Sequence, residues 1–142
     1  MSEFDWIEAR SQCSIAVIFE QLKVELKRDV EKMQTLRPMI EGGCHYGFRF
    51  AASNGAATVI VQGKKIYDSV QFRLTDTAIE VVDGKETVKF MATPTLNSKG
   101  ECRLKINGEE YESWYLRKIA LEEIFFRDYF TWTSVHVSES KV

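Results

Sequence analysis

The sequence predicts an α+β fold in which a long N-terminal helix packs on a twisted antiparallel meander of about six or seven strands, followed by a C-terminal helix. Three observations predict this fold. Residues 2–36 repeat apolar side chains at steps of three and four, residues 44–113 alternate apolar and polar side chains between short turns, and residues 114–130 return to helical spacing. We therefore expect the helices to cover one face of the sheet, all within a single domain over residues 1–142.

The first predicted helix covers about residues 2–36. Ser2 and Asp5 have the form of an acidic capping box that starts it, and Pro38 restricts the residue before it and ends it. A continuous helix of this length spans about 50 Å, against about 23 Å for a seven-residue strand. The helix should therefore overhang the sheet unless it breaks near residues 11–14. Its apolar stripe contains Ile15, Ile18, Phe19, Leu22, Leu26, Val30, Met33 and Leu36.

The meander contains three two-residue turn sequences, each typical of a tight hairpin. They are Asn54-Gly55, Asp83-Gly84 and Asn107-Gly108. Counting back from each turn gives a register in which apolar residues face each other on one side of the sheet. Pro94 should end the strand that follows the second turn. The facing pairs predicted in this way are Phe50 with Val59, Phe48 with Val61, Ile79 with Val88, Leu104 with Tyr111 and Lys105 with Glu110.

The last part of the chain predicts a second helix over residues 114–130, capped by Ser113 and apolar on nearly every side. A short final strand, Trp132 to Val137, and a polar end complete the tail of residues 131–142. The order helix, meander, helix resembles helix-wrapping sheet folds such as cystatin-like and pleckstrin-homology-like domains. That resemblance concerns fold and implies no activity.

Composition and charge exclude several classes of protein. A net charge of -2 gives no overall attraction to nucleic acid or to an anionic membrane. The longest wholly apolar run, Ile15 to Phe19, is far shorter than the roughly 20 residues of a membrane span. Glu3 and Asp5 stand where a signal peptide is basic. We therefore predict a cytoplasmic protein that does not enter a membrane.

The cysteines and histidines give no metal-binding or catalytic pattern. Cys13, Cys44 and Cys102 are odd in number and far apart, which predicts reduced thiols. His45 and His136 lie in no metal-binding frame. Cys44 and His45 are neighbours at the start of a predicted strand, where adjacent side chains point to opposite faces and cannot form a dyad. With no phosphate-binding loop or nucleophile elbow either, we predict no metal and no cofactor, and we favour a protein that is not an enzyme.

Asp68 is the ionisable residue that alternation places on the apolar face, between Ile66 and Val70. A carboxylate in an apolar pocket is a candidate general acid or base. The simpler interpretation, which we weight more heavily, puts Asp68 at a strand end in contact with water. The candidate pocket between sheet and helices is formed by Asp68, Tyr46, Phe48, Phe72 and Phe90.

Basic residues on the outer face of the sheet resemble a surface that contacts a nucleic-acid backbone. They are Arg49, Arg73, Lys89, Arg103 and Lys105. Glu80, Glu110 and Glu112 share that face, so cross-strand ion pairs account for most of the basic residues without a ligand. Nucleic-acid binding is therefore the least favoured of the functions that the sequence leaves open.

Surplus apolar surface favours a non-catalytic binding or assembly module that forms a homodimer. This surplus surface belongs to the overhanging first helix and to the second helix, which has apolar residues on nearly every side. The alternative is a cavity for a small apolar ligand, or a small acid/base enzyme, that uses Asp68. The sequence is also compatible with a different protein as the partner. The predicted interface residues are Leu26, Val30, Met33, Phe125 and Phe126.

Overall fold

A long helix, a seven-stranded antiparallel meander and a C-terminal helix follow one another along the chain, which confirms the predicted α+β fold. The computed structural model describes residues 3–37, 47–63 and 67–126. Its helices are α1 (Trp6–Gln12), α2 (Ile15–Leu36) and α3 (Ser113–Phe126). Strands adjacent in the sheet are also adjacent in sequence. The strands are β1 (Gly47–Ala52), β2 (Ala56–Gln62), β3 (Tyr67–Leu74), β4 (Ile79–Asp83), β5 (Val88–Leu96), β6 (Cys102–Ile106) and β7 (Glu109–Tyr111).

The helical region before the sheet consists of two helices, and the break between them lies at residues 13–14, within the range 11–14 where the sequence left a break open. Ser14 has extended backbone angles and caps α2, because its hydroxyl oxygen accepts a hydrogen bond from the Val17 N–H at 3.3 Å. Asp5 caps α1 in the same way, through the Glu8 N–H at 3.0 Å. Ser2, the predicted cap, lies outside the described residues. The 22 residues of α2 span about 33 Å, so the overhang is much smaller than predicted.

One face of α2 forms the cover of the sheet. Its buried residues are spaced at three and four, as in the predicted stripe, and they pack on alternate residues of the central strands. This core removes the apolar faces of helix and sheet from water together. The buried residues of α2 are Phe19, Leu22, Leu26, Val30 and Met33, and those of the central strands include Val59, Val61, Val70, Phe72, Ile79 and Val81.

The first and third hairpins have the predicted registers. Phe48 pairs with Val61 in the first, and Leu104 pairs with Tyr111 in the third. Asn-Gly forms the tip of both turns, and in the first the Ser53 N–H donates to the Ala56 carbonyl across it at 2.8 Å, so counting outward from Asn-Gly gives the correct partners.

The second hairpin has a different register from the predicted one. The carboxylate of Asp83 accepts hydrogen bonds from the N–H groups of Lys85 and Thr87 at 2.8 and 3.0 Å, and Glu86 adopts a positive φ of 64°. The Asp83 side chain thereby stabilises a longer turn than Asp-Gly predicts. Val82 consequently pairs with Val88, and the pairing of Ile79 with Val88 is wrong.

Strand β5 continues through Pro94, so the prediction that Pro94 ends this strand is wrong. The last residue of β5 that pairs with β4 is Ala92, and Pro94 instead pairs with Leu104 of β6. Proline has no N–H to donate to a neighbouring strand. A strand therefore tolerates proline at a position that pairs with a strand on one side only. β5 therefore joins β1–β4 on one side to β6 and β7 on the other.

A disulfide joins Cys13 to Cys102, so the prediction of reduced thiols is wrong for this pair. The Cα atoms are 5.5 Å apart although the residues are 89 positions apart in sequence. The break between α1 and α2 brings Cys13 to the first residue of β6. Sequence spacing could not show this proximity, because it depends on the path of the whole meander. Cys44 lies outside the described residues.

Candidate functional site between α2 and α3

A groove of about 390 Å³ lies between α2 and α3. Its rim exposes large apolar side chains: Leu36 is 59% exposed, Trp114 is 53% exposed and Phe126 is 61% exposed. Exposed aromatic side chains that cluster around a concave surface are typical of binding sites, whereas isolated ones are ordinary. The complete lining is Asp29, Lys32, Met33, Leu36, Trp114, Arg117, Lys118, Leu121, Glu122, Phe125 and Phe126.

Arg117 fixes the two walls of this groove to each other. One guanidinium nitrogen lies 2.6 Å from the Asp29 carboxylate of α2, and Nε lies 3.7 Å from the Glu25 carboxylate. The Ser113 hydroxyl donates to the same Glu25 carboxylate at 2.7 Å, and Ser113 is the first residue within α3 rather than the predicted cap before it. Arg37, which follows α2, donates to the Phe125 carbonyl at 3.0 Å. Polar contacts at several points therefore hold α3 against α2.

The charged residues around the groove carry both signs. Lys118 pairs with Glu122 at 3.0 Å along α3, and both side chains are largely exposed. Lys32 adds a positive charge from α2. A surface with both signs around an apolar centre can match a rotated copy of itself, which a surface of one sign cannot do.

The predicted interface residues fall into two groups. Leu26, Val30, Met33 and Phe125 are buried within the chain, and Phe126 alone among the five is exposed. The sequence pattern identifies the apolar residues of both helices, but it does not show which of them are exposed. Leu36 and Trp114 are not among the predicted interface residues. Their positions give a usable signal, because each is a large apolar residue at the end of a helix.

The predicted pocket residues also occupy different places. Phe48 and Phe72 are buried in the core, and Phe90 packs against that core. Tyr46 lies outside the described residues. Asp68 instead lines a second cavity of about 310 Å³, together with Asp83, Lys85, Lys89 and Glu123 among others.

This second cavity is polar and lies between the second hairpin and α3. Asp68 sits opposite Val61 in the sheet and accepts a hydrogen bond from the Ser69 N–H at 2.8 Å. Hydrogen bonds from the backbone N–H groups of Thr87 and Lys85 hold the pKa of Asp83 below its ordinary value of 3.8. The cavity therefore combines carboxylates with lysines, which suits a small polar ligand better than an apolar one.

The three arginines of the outer face have acidic or amide partners. Arg73 contacts Glu80 and Glu86, and Arg103 lies 3.1 Å from Glu101. Arg49 donates to the Gln62 side chain at 2.7 Å. The predicted cross-strand ion pair is thus supported for Arg73 with Glu80, whereas the acidic partner of Arg103 lies two positions before it along the chain.

The described part of the chain holds neither a metal site nor a membrane-spanning helix. No group of His, Cys, Asp and Glu side chains in residues 3–37, 47–63 and 67–126 is placed to hold a metal ion. Over the same ranges, no helix is long and apolar enough to cross a membrane.

Comparison of the chain with protein-family models, with curated proteins and with solved structures finds no match. The resemblance to cystatin-like and pleckstrin-homology-like folds therefore stays a prediction.

Proposed function

We propose that this protein is a non-catalytic assembly module that forms a homodimer through the groove between α2 and α3. The observation that carries the proposal is the exposure of Leu36, Trp114 and Phe126 around one concave surface. In a two-fold dimer each copy presents the same patch, so Phe126 of one copy can enter the groove of the other. Aromatic side chains that enter a partner's pocket commonly provide most of the binding free energy.

The charges around the groove support a second copy as the occupant. Under two-fold symmetry, Lys118 and Glu122 of one copy can face Glu122 and Lys118 of the other. Arg117, Asp29 and Glu25 are already paired within the chain, so dimer formation need not strip an isolated charge of water.

The test compares two exposed apolar positions, of which only one lines the groove. Phe126→Glu places a charge at the proposed contact, and Val24→Glu places one at a position that is 65% exposed on another face of α2. Sedimentation velocity at micromolar concentration should show a dimer for the native chain and for Val24→Glu, and a monomer for Phe126→Glu. A monomeric native chain overturns the proposal. Leu26→Glu is unsuitable, because a charge at this fully buried position disrupts folding itself.

A second candidate function is the binding of a small polar ligand, or acid/base chemistry, at the cavity that contains Asp68. It is supported by the grouping of Asp68, Asp83, Lys85 and Lys89 around one space. A screen of small anions and cations by thermal shift, repeated on Asp68→Asn, tests it. A ligand that stabilises the native chain and not the variant supports the cavity.

Nucleic-acid binding by the outer face has less support, because Arg73 and Arg103 already contact acidic groups. Fluorescence polarisation with a labelled oligonucleotide at low salt is the direct test. Absence of binding under these conditions removes this function, since phosphate contacts are strongest at low salt.

The cytoplasmic location also stays a prediction. The disulfide between Cys13 and Cys102 counts against this location, because cytosolic thiols are kept reduced and stable disulfides persist in oxidising compartments. Mass mapping of the cysteines in protein taken directly from its natural source tests the location.

A further inference from the structure

Helix α1 is held to the rest of the chain by few contacts. It contains no buried residue, and Trp6 and Ile7 are exposed. One close contact precedes the helix, where the Phe4 ring lies on Gly100 so closely that an added Cβ would approach its Cζ atom to 2.7 Å. At the other end stands the disulfide from Cys13. The contacts that attach α1 thus include one aromatic contact and one covalent bond.

The two cysteines of the disulfide differ in their exposure, and neither belongs to the main core. Cys13 is fully buried, yet it is not part of the cluster of core residues that α2, α3 and the sheet form together. Cys102 is exposed at the start of β6. A thiol from solvent therefore reaches Cys102 first, and cleavage of the bond does not by itself remove a side chain from the core.

We propose that the disulfide is a thiol-sensitive clamp, which holds α1 on the loop between β5 and β6 when oxidised and releases α1 when a dithiol reduces it. The thiolate of the dithiol attacks Cys102 Sγ, forms a mixed disulfide and expels the Cys13 thiolate, which takes a proton from water. The second thiol of the reagent then attacks the mixed disulfide and releases Cys102. The dithiol is oxidised to a disulfide, and both cysteines are reduced.

Release of α1 leaves α2 and the sheet in place. Ser14 caps α2 independently of α1, since its hydroxyl bonds to Val17 within α2. The core residues of α2 keep their contacts with the sheet. The freed segment carries Phe4, Trp6 and Ile7, which are already exposed, so reduction lets these apolar side chains move relative to the rest of the fold. This inference does not depend on the proposed dimer.

Limited trypsin digestion separates release of α1 from general unfolding, because the chain has cleavage sites in both regions. Arg10 reports on α1, whereas Lys27 and Arg28 report on α2. The protein is reduced with dithiothreitol, freed of reagent without air and digested beside its oxidised form, with products identified by mass spectrometry. Reduction should accelerate cleavage after Arg10, and in the reduced protein this cleavage should be about tenfold or more faster than cleavage after Lys27 and Arg28, because release of α1 needs only local opening.

Two variants complete the experiment. Cys13→Ala/Cys102→Ser should show fast cleavage after Arg10 without any reductant, and Cys44→Ser should behave like the oxidised native chain. Equal cleavage rates after Arg10 and after Lys27 in the reduced protein would mean that both sites open only when the whole fold unfolds, and unchanged cleavage after Arg10 on reduction would mean that other contacts hold α1. Either result overturns the clamp. Three free thiols in the unfolded, unreduced protein would overturn it as well.

Discussion

Removal of the Cys13–Cys102 bond should lower the free energy of unfolding substantially. The bond closes a loop whose ends are 89 positions apart. The loss of chain entropy in the unfolded state for a closed loop of this size corresponds to about 4.6 kcal/mol at 25 °C. Domains are commonly stable by only about 5–15 kcal/mol, so the crosslink would supply a large share of the total.

Urea unfolding measured by circular dichroism tests this magnitude. Cys13→Ala suits a buried site because alanine brings no unpaired polar group, and Cys102→Ser suits an exposed one. With a slope of about 2 kcal/mol per molar urea, the double variant should unfold at a midpoint roughly 2 M below that of the oxidised chain. Cys44→Ser is the control and should keep the native midpoint. A difference below about 1 kcal/mol would refute the reasoning, because it would mean that the crosslink does not restrict the unfolded chain.

Three further predictions concern the core, the pairing of the helices and the second turn. Leu26→Ala should lower the free energy of unfolding by about 2–5 kcal/mol, and exposed Val24→Ala should change it by less than about 0.5 kcal/mol in the same urea assay. Arg117→Met should cost about 3 kcal/mol because it leaves two carboxylates of α2 without their cation, whereas Lys118→Met at an exposed ion pair should cost less than about 1 kcal/mol. The lowered pKa of Asp83 contributes stability above its ordinary value of 3.8, and this contribution is lost as the pH falls through the lower pKa of the folded state. Asp83→Asn keeps an acceptor for the turn, so it should unfold in acid with a weaker dependence on pH.

The parts of the fold that the sequence predicts correctly are those set by local periodicity. The stripe from Phe19 to Met33 faces the core because helical spacing leaves it no other face to bury. The registers at Asn54-Gly55 and Asn107-Gly108 are correct because the turn itself fixes which residues pair. In both cases the deciding interactions lie within a few residues of each other.

Two departures from the sequence pattern arise where a side chain competes with the local backbone. Asp83 bonds to the backbone of Thr87 and lengthens a turn that Asp-Gly would keep short. Ser14 can cap a helix as readily as it can lie inside one, and a single sequence does not decide between these roles.

The candidate site is less predictable than the fold. The groove depends on how α3 meets α2, and that is set by the contact of Arg117 with Asp29, 88 positions away. Apolar periodicity assigns Leu26 and Phe126 to one predicted interface, although one is buried and the other exposed. Periodicity gives a helix its apolar residues but does not identify which of them a second helix will cover.

The order of the strands has a consequence for how the protein folds. Every strand pairs with its neighbours in sequence, so the whole sheet can form from short loops without the slow search that distant pairing requires. The contacts that join remote parts of the chain include those of α2 with α3 and of Cys13 with Cys102. We therefore expect the hairpins to form early and the two helices to close over them late, so that substitutions at Arg117 raise the unfolding rate and leave the folding rate nearly unchanged.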